Sequence, residues 1–161
     1  MSNRSQLEVI HAGFFAMDSL RIEKGYRAWG TDIIDQDTPI EAGLSFAVDF
    51  SKSDFIGKNV LLKQRSENIK KRLVMFRLDD SDTLLLGEEP IYRNGKLVGR
   101  TTSANYGHTL GCSVAMGYVE SDEGISKEYV KDGSYQIELM GQKYTAQASF
   151  CLLYTSDAAD E

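Results

Sequence analysis

Pro90-Ile-Tyr-Arg-Asn-Gly-Lys-Leu-Val98 sets two strand-like runs on either side of Asn94-Gly95. An Asn-Gly pair tolerates the positive φ that both central positions of a tight hairpin turn demand, so this stretch predicts a two-residue β-hairpin. Working outward, Val98 to Asn105 continues as a strand and Ser113 to Glu120 reads as another. Upstream, Arg72 to Leu78 alternates Leu73 and Met75 against Val74 and Phe76. Downstream, Tyr135 to Leu139 and Lys143 to Ser149 flank Met140-Gly-Gln142, a second hairpin. Short strands at this spacing predict a small antiparallel barrel or sandwich. Gly99, Gly107 and Gly111 read as bends or bulges of a closed sheet.

The chain has 161 residues, 42% hydrophobic and 26% charged, ordinary for one globular domain or a small domain with part of another. A net charge of −6 argues against nucleic acid, which needs a clustered basic surface; the run Lys70-Lys71-Arg72 is too short to supply one. Cys112 and Cys151 form no CxxC pair, and His11 and His108 are the only imidazoles, so neither a disulfide framework nor a metal site is expected. No apolar run approaches the ~20 residues of a membrane span, and the first residues lack a signal-peptide core. A reducing compartment is the expectation.

Before the strands, the pattern is mixed. Leu7, Ile10, Phe14, Met17 and Leu20 recur at helical spacing, interrupted by Gly13, which allows two shorter helices. Asp18 and Ser19 are candidate caps for the second, and Gly25 would end it. Trp29-Gly30 and Asp32 to Asp37 read as a strand end and a loop. Thr38-Pro39 predicts a short helix over Ile40 to Leu44. Ser45 to Phe50 alternates as a strand, and Phe55 to Arg65 reads as a helix. Ser66 to Lys71 is linker-like. Cys151 to Glu161 has no periodicity and reads as a foreign tail from a sequencing adapter.

The segment Asp18-Ser-Leu-Arg-Ile-Glu-Lys-Gly-Tyr-Arg-Ala-Trp-Gly30 packs acids, two arginines, a Tyr and a Trp around glycines, a mixture suited to a flat, polar, aromatic ligand. Together with Thr38-Pro-Ile-Glu-Ala-Gly-Leu44, Asp54-Phe-Ile-Gly-Lys58 and Gly99-Arg-Thr-Thr-Ser-Ala-Asn-Tyr-Gly-His-Thr-Leu-Gly111, it resembles the folate-binding aminomethyltransferase family, which includes the glycine-cleavage T-protein. The resemblance covers residues 7 to 150 and is nearer to the C-terminal region of dimethylglycine and sarcosine dehydrogenases. It implies an α+β piece of a folate-binding domain (1–68), a small all-β antiparallel barrel (69–150) and the tail (151–161). It also implies tetrahydrofolate as ligand, an N-methyl amine as substrate and an upstream FAD domain in the same longer protein. The compartment would be a bacterial cytoplasm or a mitochondrial matrix. A stand-alone aminomethyltransferase and a non-catalytic folate-binding module are the alternatives.

The resemblance places the family's pterin-binding carboxylate at Glu23, where a carboxylate can accept two parallel N–H bonds. An ion pair at the helix end is the competing reading. Tyr26 and Trp29 are either walls for the pterin or aminobenzoyl ring, or core. Arg27 either meets the folate's glutamate carboxylates or sits on the surface. Glu41 reads as a structural acid at a helix start. Asn105, Tyr106 and His108 read as a turn facing the folate domain. The family's catalytic Asp lies upstream of the segments matched, so no catalytic residue is assigned. An Arg-rich run of the family is replaced by Asp49-Phe-Ser-Lys-Ser-Asp54, which leaves Lys52 as the nearest cation. As part of a larger domain, the N-terminal segment is expected to expose apolar residues such as Phe14, Phe15 and Ile33.

Overall fold

The computed structural model describes residues 11–150; the tail from Cys151 and the first turn around Leu7 and Ile10 lie outside them. Six strands, β1 (Lys71–Leu78), β2 (Pro90–Arg93), β3 (Lys96–Gly107), β4 (Cys112–Glu120), β5 (Tyr135–Leu139) and β6 (Gln142–Ser149), close into an antiparallel barrel. The order around it is β1-β4-β3-β2-β5-β6, and β1 pairs with β6 to complete the ring. Both predicted hairpins have two-residue turns at positive φ, Asn94 (51°) with Gly95 (82°) and Met140 (51°) with Gly141 (80°).

The alternation in β1 sorts two cores. Val74, Phe76 and Leu78 point inward with Ala115, Val119, Ile91, Ile137 and Tyr135, where Phe76 meets Tyr135 edge-on at 5.5 Å. Leu73 and Met75 point outward with Val114, Met116 and Tyr118, and this outer layer receives Ile22 of helix α1 (Phe14–Glu23). β4 is therefore buried from Cys112 through Val119 on both faces. Close packing explains Gly117, where a Cβ would lie 2.5 Å from the Arg100 carbonyl oxygen. A short helix α3 (Lys127–Lys131), unforeseen from the sequence, is capped by Ser126, whose hydroxyl accepts from the Tyr129 N–H. It covers the barrel with Val130.

Three local expectations are corrected: the caps at Asp18 and Ser19, the strand over Ser45 to Phe50 and the helix over Ile40 to Leu44. The apolar stripe of the first helix faces away from the barrel, with Phe14 and Phe15 exposed as expected, Met17 and Leu20 exposed too, and Ser19, Ile22 and Glu23 buried. Beside Ile22, the barrel side takes Ser19 and Glu23 because they meet backbone groups at the end of β3 and in the turn after it. Asp18 and Ser19 lie inside that helix and do not cap it. Asp18 binds Arg21, and Ser19 donates to the Tyr106 carbonyl at 2.6 Å. Ser45 to Phe50 is no strand but holds a 3-10 turn, Ser45–Ala47. Alternation alone makes no strand without a free edge, and the closed barrel offers none. Ile40 to Leu44 is a single turn closed at Gly43 (φ 72°), because Arg72 and Arg27 take the Ile40 and Ala42 carbonyls that a next turn would need. Helix α2 spans Lys58–Ser66.

Among the described residues no helix is long and apolar enough to cross a membrane. Cys112 is a free, buried thiol whose pKa is pushed up by that burial.

Candidate functional site

Helix α1 ends as Gly25 anticipated. With Gly25 at φ 65°, its N–H bonds the Ile22 carbonyl at 2.9 Å and the Tyr26 N–H bonds that of Arg21 at 2.8 Å, a Schellman closure. This turn reverses the chain and leads into the loop that bears Tyr26, Arg27 and Trp29.

Glu23 is 3% exposed. Its Oε1 accepts from the Thr109 N–H at 2.7 Å and its Oε2 from the Thr109 hydroxyl at 3.0 Å. The barrel thus supplies both of these partners through Thr109. Gly107 permits the approach, since a Cβ there would stand 3.1 Å from Oε1. Each carboxylate oxygen keeps a second lone-pair direction.

Tyr26 and Trp29 are 68% and 75% exposed in this chain. Arg27 is half-buried and donates to the Gly25 carbonyl at 2.5 Å and the Ala42 carbonyl at 3.2 Å. Beside it lies Arg72, whose guanidinium donates to the Ile40 carbonyl at 2.6 Å and lies 5.1 Å from the Phe150 ring centroid. Burial, and then the charge of Arg27, lowers the Arg72 pKa. Glu23, Tyr26, Arg27 and Trp29 thus share one chain segment. The large open cleft, about 780 Å³, lies elsewhere, against Lys70, Arg93, Lys96, Glu120 and Tyr129.

The surrounding polar groups were not singled out by sequence. Asp32 is fully buried, accepting from Arg21 Nη1 at 2.5 Å, the Ala28 N–H at 2.9 Å and the Thr102 hydroxyl at 2.5 Å. Its carbonyl accepts from the Tyr118 hydroxyl at 3.0 Å. Burial, followed by the nearby Asp37 carboxylate, pushes the Tyr118 pKa well above the usual phenol value, so the hydroxyl stays a donor. Thr102 is the extra residue of a bulge in β3, between Thr101 opposite Gly117 and Ser103 opposite Met116. Bulges re-aim side chains, and this one aims Thr102 at Asp32. Glu41 is structural, as anticipated: it accepts from the Thr38 N–H and hydroxyl while its own N–H reaches back to Thr38 Oγ1, a capping box. The Thr38-x-x-Glu41 spacing is the readable signal for it. Asn105 reaches Asp18 at 3.3 Å, and Tyr106 stacks edge-on with His108 at 5.2 Å, so this turn is tied to α1.

Comparison with known proteins agrees with this layout. The model of the glycine cleavage T-protein C-terminal barrel domain matches residues 71–154, and that of the GCVT N-terminal domain matches residues 1–52. Human mitochondrial sarcosine dehydrogenase is 41% identical over 143 residues, 87% of this chain but 16% of that protein. The mouse mitochondrial pyruvate dehydrogenase phosphatase regulatory subunit is 41% identical over 160 residues, 92% of this chain and 18% of that protein. An aminomethyltransferase of Halothermothrix orenii is 41% identical over 130 residues, 81% of this chain and 36% of that protein. The crystal structure of the glycine cleavage aminomethyltransferase T of Bartonella henselae superposes with a TM-score of 0.68 at 28% identity, covering 81% of this chain and 36% of that one. This chain thus spans only a small part of its curated relatives. By its barrel, its N-terminal segment and these identities, the chain belongs to the glycine cleavage T-protein family.

Proposed function

We propose that the chain is the C-terminal, folate-binding part of a dimethylglycine or sarcosine dehydrogenase-like flavoprotein. An upstream domain holding FAD would oxidise an N-methyl amine to an iminium. Tetrahydrofolate, held beside this chain, would capture the one-carbon unit as a methylene group. Holding the folate nitrogen next to the iminium converts an encounter into an intramolecular step. The proton-handling Asp would lie upstream, so this chain alone is expected to turn over no substrate.

The chain's own residues then bind and orient. Tyr26 and Trp29 offer flat faces, and an aromatic side chain holds a flat ring at low entropic cost. Arg27 offers a cation to the folate's carboxylates. Glu23 would accept from the pterin amino group through the lone pairs that Thr109 leaves. The observation that carries the reading is the exposure of Tyr26 and Trp29 in a segment whose core residues are otherwise few. Two bulky aromatics on one loop, in a chain with this family membership, fit a stacked ligand better than bare solvent.

Trp29 is the single tryptophan of the chain, so its emission reports the site. Titration of the 161-residue chain with 5-formyltetrahydrofolate, a stable reduced folate, should quench that emission saturably. Glu23→Gln should weaken the binding by about 1–3 kcal/mol, the scale of a lost charge-assisted hydrogen bond. Equal affinity in the two proteins would remove Glu23 from the site. For the flavoprotein assignment, the reading frame upstream of Met1 should hold a dinucleotide-binding GxGxxG segment, and its absence would end that reading.

A second reading has one observation behind it. The mouse relative at 41% identity is named a regulatory subunit, which points towards a non-catalytic module. Oxidation of an N-methyl amine by the full-length protein would separate the two.

A further inference from the structure

The positions of Tyr26 and Trp29 raise a physical question. Exposed side chains make few packing contacts, so packing cannot set where these rings stand. Their backbone must do it, and at the centre of the bonds that hold the backbone from Tyr26 to Ile33 lies one buried acid, Asp32.

We infer that Asp32 is a positioning residue: its carboxylate locks the Tyr26–Ile33 loop onto the bulge of β3 and so holds Tyr26 and Trp29 as a preformed aromatic platform. Three features support this. First, Asp32 binds its own loop at both levels, accepting the Ala28 N–H at 2.9 Å through Oδ2 and donating its N–H to the Ala28 carbonyl at 2.9 Å. The same carbonyl receives the Ile33 N–H at 3.3 Å, and Gly30 closes on Ile33 at 2.8 Å, so Trp29 rides on a ring of backbone hydrogen bonds. Second, Asp32 anchors that ring to distant elements: Thr102 on β3, Tyr118 on β4, and Arg21 on α1. Third, Arg21 extends the lock to the start of the loop. Its Nη1 also reaches the Tyr26 carbonyl at 3.3 Å, its Nη2 donates to Ser103 at 2.8 Å, and its Nε pairs with Asp18 at 2.8 Å.

A buried acid whose hydrogen bonds are spread over three elements is costly to leave half-satisfied, so such a cluster specifies one arrangement. Here the arrangement specified is that of two solvent-facing rings. A platform held in its binding position loses less conformational entropy when a flat ligand arrives. This part of the inference rests on the folate reading above; the lock itself does not.

Hydrogen exchange and Trp29 emission on the 161-residue chain test the two parts separately. Asp32→Ala should speed exchange at the Ala28 and Ile33 amides by about tenfold or more while the β1 and β4 amides keep their protection. The affinity for 5-formyltetrahydrofolate should fall by about tenfold or more. Thr102→Val removes one anchor from outside the loop, keeps the acid, and should move both readouts the same way by less, which guards against an Asp32→Ala chain that fails to fold. Asp32→Asn, which can accept from Arg21 and Ala28 and donate to Thr102, should recover much of the loop protection. Unchanged loop exchange in a folded Asp32→Ala chain would overturn the lock. So would parallel loss of protection in loop and barrel for both Asp32→Ala and Thr102→Val. A freed loop with unchanged folate affinity would overturn the platform. If the unaltered chain binds no reduced folate, the folate reading falls and the exchange result alone decides the lock.

Discussion

The barrel from Lys71 to Ser149 and the segment from Phe14 to Ser66 are built on opposite principles. The barrel is closed by hydrogen bonds at every strand and filled by apolar side chains on its inside, with a second apolar layer on the outer side of β1 and β4. The N-terminal segment turns Phe14, Phe15, Met17, Leu20, Tyr26, Trp29 and Phe46 to solvent. Ile22 packs it into the outer layer of the barrel, and a series of polar contacts ties it on: Ser19 to Tyr106, Glu23 to Thr109, Asp32 to Thr102, Asp37 to Lys71 and Ile40 to Arg72. Apolar burial drives folding in proportion to area, whereas a hydrogen bond adds only about 0.5–1.5 kcal/mol net. The barrel therefore carries the stability, and the segment borrows its shape from the barrel. Ile33, by contrast with Phe14 and Phe15, is half-buried.

The largest break in this comparison comes from the barrel interior. Phe76→Ala removes a fully buried ring and should cost about 3–5 kcal/mol in chemical denaturation, with protection lost in both regions at once. If the segment kept its protection, it would be an independent unit. Glu23→Gln probes the attachment. It should cost about 1–3 kcal/mol in the docking of α1, seen as faster exchange in α1 with the β5 and β6 amides unmoved. A global drop of the same size would place Glu23 in the barrel's own stability.

The Asp37–Lys71 pair gives a pH handle. Burial raises the Asp37 pKa, but the Lys71 ammonium at 2.7 Å and the Ile34 N–H outweigh it, so the carboxyl sits below its ordinary value. A folded pKa below the unfolded one means the unfolded state binds the proton more readily. The stabilisation is thus complete above the usual carboxylate range and is lost as pH falls through the lowered value. Lys71→Met should flatten this acid limb, measured as the midpoint of denaturation against pH, and an unchanged limb would assign it to other carboxylates. The smallest effect is expected at Lys63–Glu67, an i,i+4 pair at 3.9 Å with both side chains largely in water. Lys63→Ala should change stability by no more than about 0.5 kcal/mol.

The two regions also differ in how much of them can be read in the sequence. Asn94-Gly95 and Met140-Gly141 announce their hairpins because the required positive φ is a property of the residues themselves. Leu73 to Phe76 declares a strand buried on two faces. In the N-terminal segment the same rules mislead. Asp18 and Ser19 look like caps but lie inside α1, and the alternation of Ser45 to Phe50 reads as a strand but holds a 3-10 turn. Thr38 and Glu41 were legible because a capping box closes within four residues.

Glu23 was found through the family motif, but its actual partner, Thr109, is 86 residues away. Asp32 was missed because nothing local separates it from Asp35 and Asp37; its burial depends on a bulge 70 residues downstream that aims Thr102 at it. The chain's own residues thus determined the barrel, its hairpins, the Gly25 reversal and the family. Each depends on backbone preference or on a short periodic pattern. Only the tertiary structure decided which face of α1 is covered, which acid is buried and how the aromatic loop is held. Those follow from hydrogen bonds between segments far apart in sequence, and no local pattern encodes the partner of a buried polar group.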